Sequence, residues 1–314
     1  MSKKYRNLFN FSLLKAKNPS PGYNVTTMSS ERIVVTSTKP ELINQEFIII
    51  GEMPTTFRGS RVVFATSEKG MKVVIKIPAA SQGAEREWTG LTKSREAKIP
   101  VPTPIMLGIT NLNQPCVVLE RLYGKPLFLY HDDEARVQLG QTVKQMHSRV
   151  QIEGFEWLQS GMVDYSDYDR QVNMWAKNQA QIGDGSNTQS LFRSLSLPMI
   201  DYCVITSPVF NHNDIHDGQV IISDKKVGTL IDFENWTEDR PLNDVGCYLF
   251  HCLRTDKEFE NFKCFMDGYS KGESLSENEK QALIYNLLFI STRAVIKFLN
   301  YKAGYLETAR DTHK

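Results

Sequence analysis

The side chains best suited to chemistry in this chain gather in one stretch, VFNHNDIHDGQVII, from Val209 to Ile222. His212, Asn213, Asp214, His216, Asp217 and Gln219 stand directly before Val220, Ile221 and Ile222, whose composition is that of a buried strand. The sequence runs on as QVIISDKKVGTLIDFEN, two apolar runs around a polar turn. Pairing Val220–Ser223 with Gly228–Ile231 across a loop at Asp224–Val227 predicts a hairpin with Gln219 opposite Asp232. Opposed residues of an antiparallel pair have Cα atoms roughly 4.5–5.5 Å apart, so an amide oxygen and a carboxylate would emerge side by side. Oxygen donors of that kind suit Mg²⁺, a hard cation that keeps several waters and uses few protein groups. Asp214, in the loop entering the hairpin, is expected within reach of the same cation.

An Asp before a strand, an amide after it and an Asp beyond the return strand is the layout by which kinases hold a hydroxyl acceptor and Mg²⁺. That layout calls for a phosphate-binding lysine on an earlier strand and a helical carboxylate to hold it. KVVIKIP offers Lys76, and the next helix offers Glu85 and Glu87, of which Glu87 is preferred.

Positioning these groups needs elements that the pattern supplies in order. RIVVTST, EFIIIGE, RVVFATS, KVVIKIP and PCVVLER read as strands between residues 31 and 120. One helix interrupts them at about Ser81–Ala97, with Ala84, Trp88 and Leu91 on one face, and Pro100, Pro102 and Pro104 stop it. After Tyr123–Leu127 the chain turns helical: Ala135, Leu139, Val143, Met146 and Val150 recur at helical spacing, and further helices are expected near Asp244–Arg254, Lys257–Tyr269 and Glu277–Thr308. Residues 151–190 are looser, with GDGSN at Gly183–Asn187 as the clearest flexible point.

The residues HNDIHDGQVII, GTLIDFENW and RPLNDVG resemble the aminoglycoside phosphotransferase and choline kinase family, small-molecule kinases with a protein-kinase-like fold. The likeness extends upstream through VVIKIP, EREWTGL, IPVPTP, CVVLERLYGKPL and LGQTVKQMHS. It implies an α+β, bilobal fold: a β-rich N-lobe at 31–122 with one inserted helix, and a larger, mostly helical C-lobe at 123–314, after an N-terminal extension at 1–30. It implies ATP and Mg²⁺ as cofactors, Asp214 as catalytic base, Gln219 and Asp232 as metal ligands, and Lys76 as phosphate contact paired with Glu87. The adenine would meet the backbone at Glu120–Leu122, and Asp244 would buttress the catalytic loop by hydrogen bonds.

Two departures stand out. The family pattern is His-Gly-Asp followed by Asn at the metal position, whereas this chain has Asn213 and Gln219. Gln carries the same amide oxygen on a longer stem, and the maltokinase branch resembles this sequence in having Gln there and Asp-Phe-Glu after the second strand. The nucleotide loop GEMPTTFRGSR has only Gly51 and Gly59 and no P-loop signature. Backbone N–H groups near Thr55–Gly59, or the hydroxyls of Thr55 and Thr56, are expected to cover the phosphates.

The remaining polar groups have plainer readings. His212 and His216 are expected to fix the loop and cap its turn, and no further residues at metal spacing complete a zinc set with them. His147 is expected in the core, and Asp164, Asp167 and Asp169 read as a solvated acidic loop before they read as a site for a cationic acceptor.

With 41% hydrophobic and 23% charged residues the composition is that of a soluble globular protein. A net charge of +1 supplies no field to draw it to nucleic acid or an anionic membrane. The five cysteines show no C-x-x-C pair and read as core residues of a reducing compartment. The N-terminal apolar stretch is broken by Asn10 and Ser12, and no segment reaches the length of a membrane span, so the cytoplasm is expected.

The expected activity is ATP- and Mg²⁺-dependent phosphorylation of a hydroxyl on a small molecule of the aminoglycoside, amino alcohol or sugar class. Two rivals are an inactive nucleotide-binding pseudokinase, suggested by Gln219, Asn213 and the glycine-poor loop, and a Ser/Thr protein kinase. Against the latter, no Ala-Pro-Glu segment or long activation loop follows Asp232.

Overall fold

The computed structural model describes residues 32–38, 44–53, 60–130, 132–152, 206–223, 228–253, 258–287 and 290–291. Thr55 and Thr56, the N-terminal extension, Gly183–Asn187, Asp164, Asp167, Asp169, Cys203 and the turn at 224–227 lie outside them.

Alternating Val and Ile residues build a closed antiparallel barrel. Its strands are β1 (Arg32–Ser37), β2 (Gln45–Glu52), β3 (Arg61–Ser67), β4 (Lys72–Ile77), β5 (Pro104–Thr110) and β6 (Pro115–Glu120), in the order β1-β2-β3-β4-β6-β5, with β5 pairing back onto β1. Every second residue points inward, so Ile33, Val35, Phe47, Ile49, Val63, Ala65, Val73, Ile75, Met106, Cys116 and Val118 form one core. Strand β6 is buried on both faces: Val118 fills the barrel while Val117 and Leu119 join the helical core. This explains its continuous apolar run. Lys76 pairs with Val117, so it shares the outer face that looks toward the helical half. Strand β5 was not expected, and closure of the sheet depends on it. Gly108 makes that closure possible, because a Cβ there would fall 2.4 Å from the Thr36 carbonyl oxygen of β1.

Helix α1 (Gly83–Glu96) sits between β4 and β5 and buries Ala84, Glu87, Gly90 and Leu91, with Trp88 half-buried. Lys98, at φ 62°, ends it, and the Ile99 N–H closes back on the Ser94 carbonyl. Short β7 (Lys125–Pro126) leads to α2 (Asp133–Arg149). That helix is capped by the Asp132 carboxylate on the Ala135 N–H, and it buries Ala135, Leu139, Val143 and Met146 as the spacing predicts.

Beyond it come β8 (Val209–Asn211), β9 (Val220–Ile222), β10 (Gly228–Leu230), β11 (Thr237–Asp239), α3 (Leu242–Cys252), α4 (Glu258–Ser270) and a helix α5 at 277–287. β11 pairs with β8, and β10-β9-β7 form a second small sheet. α2 and α4 cross at glycines: a Cβ on Gly140 would meet the Phe265 carbonyl oxygen at 2.0 Å, and one on Gly268 the Val137 carbonyl oxygen at 1.9 Å. Cys116, Cys247 and Cys252 are buried and form no disulfide among the described residues. No helix of the described residues is long and apolar enough to cross a membrane.

The hairpin register differs from the expected one by a single residue. Gly228 faces Ile222, Thr229 faces Ile221 and Leu230 faces Val220. Burial selects this pairing. It puts the buried Val220 and Leu230 on one face, whereas the expected register would have set Val220 against Ile231 and turned Leu230 to the opposite face. Gln219 therefore faces Ile231, whose N–H donates to the Gln219 carbonyl at 3.0 Å.

Candidate active site

Despite the shifted register, Gln219 and Asp232 meet. Asp232 has φ 72° and ψ 59°, a left-handed turn immediately after the ladder, and this swings its carboxylate back over the hairpin end. The Gln219 Nε2–H donates to Asp232 Oδ2 at 2.8 Å, leaving the Gln219 amide oxygen free of that bond.

Asp232 Oδ1 accepts a hydrogen bond from Lys76 Nζ. The same ammonium lies 3.0 Å from Glu87 Oε2 on α1 and 3.4 Å from Glu234 Oε2, two residues past Asp232. Glu85 is exposed, so of the two helical candidates Glu87 is the one that reaches the lysine. Glu234 carries no expected role, although the Asp-Phe-Glu run marks it in the sequence. Burial by itself would drive the Lys76 pKa down, but Glu87, Asp232 and Glu234 outweigh it and hold the ammonium charged, above the ordinary lysine range. Burial works to raise Asp232, and Lys76 overrides it, so that carboxyl sits below its usual value. Burial pushes Glu87 up while Lys76 pulls it back.

Three carboxylates around one ammonium leave negative charge uncompensated. Among the described residues the buried Glu234 Oε2 accepts no hydrogen bond, and it has the 3.4 Å charge contact with Lys76. A set of carboxylate and amide oxygens with surplus negative charge fits a hard divalent cation.

Asp214 stands beside this cluster. It makes no hydrogen bond to Gln219 or Asp232 among the described residues, and its charge acts on Asp232 through space. Its Oδ1 lies 3.8 Å from His251 Nε2 on α3, and the rings of His251 and His216 are 4.4 Å apart. Burial opposes ionisation of Asp214, but His251, His216 and His212 together hold its pKa below the ordinary carboxylate range.

Candidate metal-ligand atoms of Asp214, His216 and His251 lie within 4.8 Å of one another. His216, however, uses Nδ1 to accept the Gly218 N–H at 3.0 Å, which leaves the neutral ring's proton on Nε2. A histidine ligand normally donates from its second nitrogen, so the trio reads as two imidazoles flanking a carboxylate. Burial first, and His251 next, lower the His216 pKa to about 4, so its ring is neutral at pH 7.

The loop that carries Asp214 is fixed from behind. Fully buried Asp244 accepts the His212 N–H at 2.9 Å and the Asn213 N–H at 2.7 Å. His147 Nε2 lies 3.0 Å from the same carboxylate, and His147 Nδ1 lies 3.0 Å from the Tyr269 hydroxyl. His212 Nε2 meets the Ile231 carbonyl at 2.9 Å, tying the loop to the hairpin. Asn213 has φ 68°. Asn is the non-glycine residue that best tolerates this left-handed geometry, so it replaces glycine with little strain, and its Nδ2–H also donates to Thr237 Oγ1 at 2.9 Å. Asp217 accepts from the Arg136 guanidinium at 2.9 and 3.1 Å and from the Tyr248 hydroxyl at 2.8 Å, anchoring the turn to α2 and α3.

At the expected adenine contact, the Glu120 N–H donates to the Thr103 carbonyl at 2.9 Å and its carboxylate binds the Thr103 hydroxyl. These bonds fix the strand end from which Arg121 and Leu122 continue. The Arg121 guanidinium lies 4.8 Å over the Phe64 ring.

A lysine caged by carboxylates, an amide on the central aspartate and a buttressed aspartate on a neighbouring loop thus lie side by side. The chain belongs to the phosphotransferase enzyme family, whose model matches residues 58–272. Solved structures share its fold. The macrolide 2'-phosphotransferase MphH from Brachybacterium faecium superposes with a TM-score of 0.54 at 17% identity, covering 83% of this chain and 89% of that one. The AMP-bound spectinomycin phosphotransferase APH(9)-Ia gives 0.53 at 16% identity, covering 80% and 85%. The amicoumacin kinase hAmiN, in complex with AMP-PNP, Ca²⁺ and Ami, gives 0.53 at 14% identity, covering 96% and 89%. No curated protein matches the sequence.

Proposed function

We propose that this protein is an ATP- and Mg²⁺-dependent phosphotransferase that phosphorylates a hydroxyl of a small molecule of the aminoglycoside, amino alcohol or sugar class. The observation that carries the reading is the cluster of Lys76, Glu87, Asp232, Glu234 and Gln219 next to Asp214. In this reading the protein is bilobal, with nucleotide bound between a β-rich N-lobe at 31–122 and a helical C-lobe at 123–314. The nucleotides in the related spectinomycin phosphotransferase and amicoumacin kinase, and the Ca²⁺ in the latter, favour a nucleotide and a divalent cation here.

Gln219 and Asp232 would hold the cation, with Glu234 beside them, and the cation would supply neutralising charge at the phosphate oxygens. Lys76, kept charged by its carboxylates and steered by Glu87, pairs with a phosphate oxygen. The backbone at Glu120–Leu122 receives the adenine. Thr55 and Thr56 cover the phosphates.

Asp214 accepts a hydrogen bond from the acceptor hydroxyl. Its depressed pKa makes it a weak base, so its main work is to orient the hydroxyl oxygen in line, and the proton leaves late. That fits phosphoryl transfer, in which catalysis is largely positioning and electrostatics. Asp232 and the start of α3 are joined only by one 3₁₀ turn and β11, which leaves no room for the activation segment of a protein kinase. Asn213 takes the left-handed conformation the loop requires, so the loss of the family glycine does not favour a pseudokinase.

The test is transfer of labelled γ-phosphate from ATP to a panel of hydroxylated antibiotics, amino alcohols and sugars, with and without Mg²⁺. Mg²⁺-dependent transfer to at least one compound, lost in Asp214→Ala, is expected. Nucleotide binding with no transfer to any compound would overturn the reading.

A further inference from the structure

Helix α1 is bound to the segment after Asp232 by a set of reciprocal contacts. The Trp236 Nε1–H donates to the Arg86 carbonyl at 2.9 Å. In return the Arg86 Nε–H donates to the Glu234 carbonyl at 2.9 Å and its Nη2–H to the Trp236 carbonyl. The Arg86 guanidinium lies 5.4 Å from the Trp236 ring centroid, and Lys93 Nζ lies 5.7 Å from it. The helix backbone lies flush on the loop at Gly90, where a Cβ would fall 2.8 Å from Trp236 and 2.9 Å from Phe233. Trp236 in turn stacks on Phe210 of β8, with centroids 5.0 Å apart. Leu91 packs in the same core as Phe233, apart from the barrel core.

We propose that Arg86 and Trp236 form a latch that joins α1 and residues 232–236 into one rigid unit. Glu87, Asp232 and Glu234 then move together, and Lys76, on barrel strand β4, is the group that moves against them. The inference rests on the reading of these residues as the phosphate- and cation-holding set. Arg86 and Trp236 touch no reacting atom and are positioning residues. Glu87 stays next to Asp232 without nucleotide, so the carboxylate set is assembled in advance, and opening the cleft separates Lys76 from all three acids at once.

The variants Arg86→Ala, Arg86→Lys and Trp236→Phe test this, the last keeping an aromatic ring on Phe210 while removing the indole N–H. In hydrogen exchange on the nucleotide-free protein, Arg86→Ala is expected to speed exchange across residues 83–96 by about tenfold, as loss of charge-assisted hydrogen bonds to two carbonyls implies, with residues 133–149 unchanged. In kinetics, KM for nucleotide and for Mg²⁺ is expected to rise by about fivefold or more in Arg86→Ala and Trp236→Phe, with acceptor KM within about twofold of wild type. Arg86→Lys is expected to fail to rescue, because one ammonium does not span the two carbonyls that the guanidinium bridges. Unchanged exchange at 83–96 would overturn the latch, as would faster exchange with unchanged nucleotide and Mg²⁺ KM. Absence of transfer in every form, wild type included, would sink the functional reading alone, and exchange at 83–96 would still decide whether the latch exists.

Discussion

The backbone at Asn213 offers a sharp test of how the catalytic loop is held. Its φ of 68° costs an ordinary L-residue roughly 1–2 kcal/mol, less for Asn, and nothing comparable for Gly. Its Nδ2–H also makes a half-buried hydrogen bond to Thr237 Oγ1, a contact of a kind that contributes about 1 kcal/mol. Asn213→Gly should therefore cost about 1 kcal/mol, the lost bond, with the backbone at ease. Asn213→Ala adds the left-handed strain, for about 2 kcal/mol in total, and Asn213→Val, with a β-branch in that region, about 3 kcal/mol. Urea unfolding measures the series as shifts of the midpoint at constant slope. Phosphoryl transfer should fall in the same order, because Asn213 is the covalent neighbour of Asp214. A Val variant as stable and active as wild type, or a Gly variant as damaged as Val, would refute the reasoning.

Two further predictions follow from packing and charge. His216 has a pKa of about 4 in the folded state against an ordinary 6.5, so between those values the unfolded chain binds the proton and the folded chain does not. Stability therefore falls as pH drops through this window, by about 1.4 kcal/mol between pH 8 and pH 5.5, and His216→Gln should lose that component when unfolding is compared at the two pH values. At the crossing of α2 and α4, Gly268→Ala must push a methyl group into the Val137 carbonyl; we expect about 3 kcal/mol of destabilisation, read from the unfolding midpoint.

Much of the fold is legible in residue order because each element carries its own period. The short Val- and Ile-rich runs of β1 to β4 and β6 and the 3.6-residue spacing of α2 are local signals, and they place those elements within a residue or two of where they form. Strand β5 is not legible in that way. It opens at Pro104, in a proline series that reads as a helix stop, and Gly108 interrupts its apolar run. Counting outward from the turn puts the hairpin register one residue off, because the burial pattern of Val220, Ile222 and Leu230 decides it.

Gln219 and Asp232 come together for a reason that no pairing rule contains, the left-handed turn at Asp232. The shared cage of Lys76 could be half foreseen. Glu87 follows from strand-then-helix order, but Glu234 enters only through the three-dimensional path of the loop. His251 beside Asp214, and Arg86 against Trp236, join residues far apart in sequence with no local signature, so only the folded chain brings them into view.

The most direct test of the central claim, that Gln219 and Asp232 present oxygens to a divalent cation, is Mn²⁺ binding followed by electron paramagnetic resonance with AMP-PNP present. The account predicts saturable Mn²⁺ binding by the wild type that is lost in Asp232→Asn and weakened in Gln219→Ala. Wild-type Mn²⁺ affinity in both variants would contradict it.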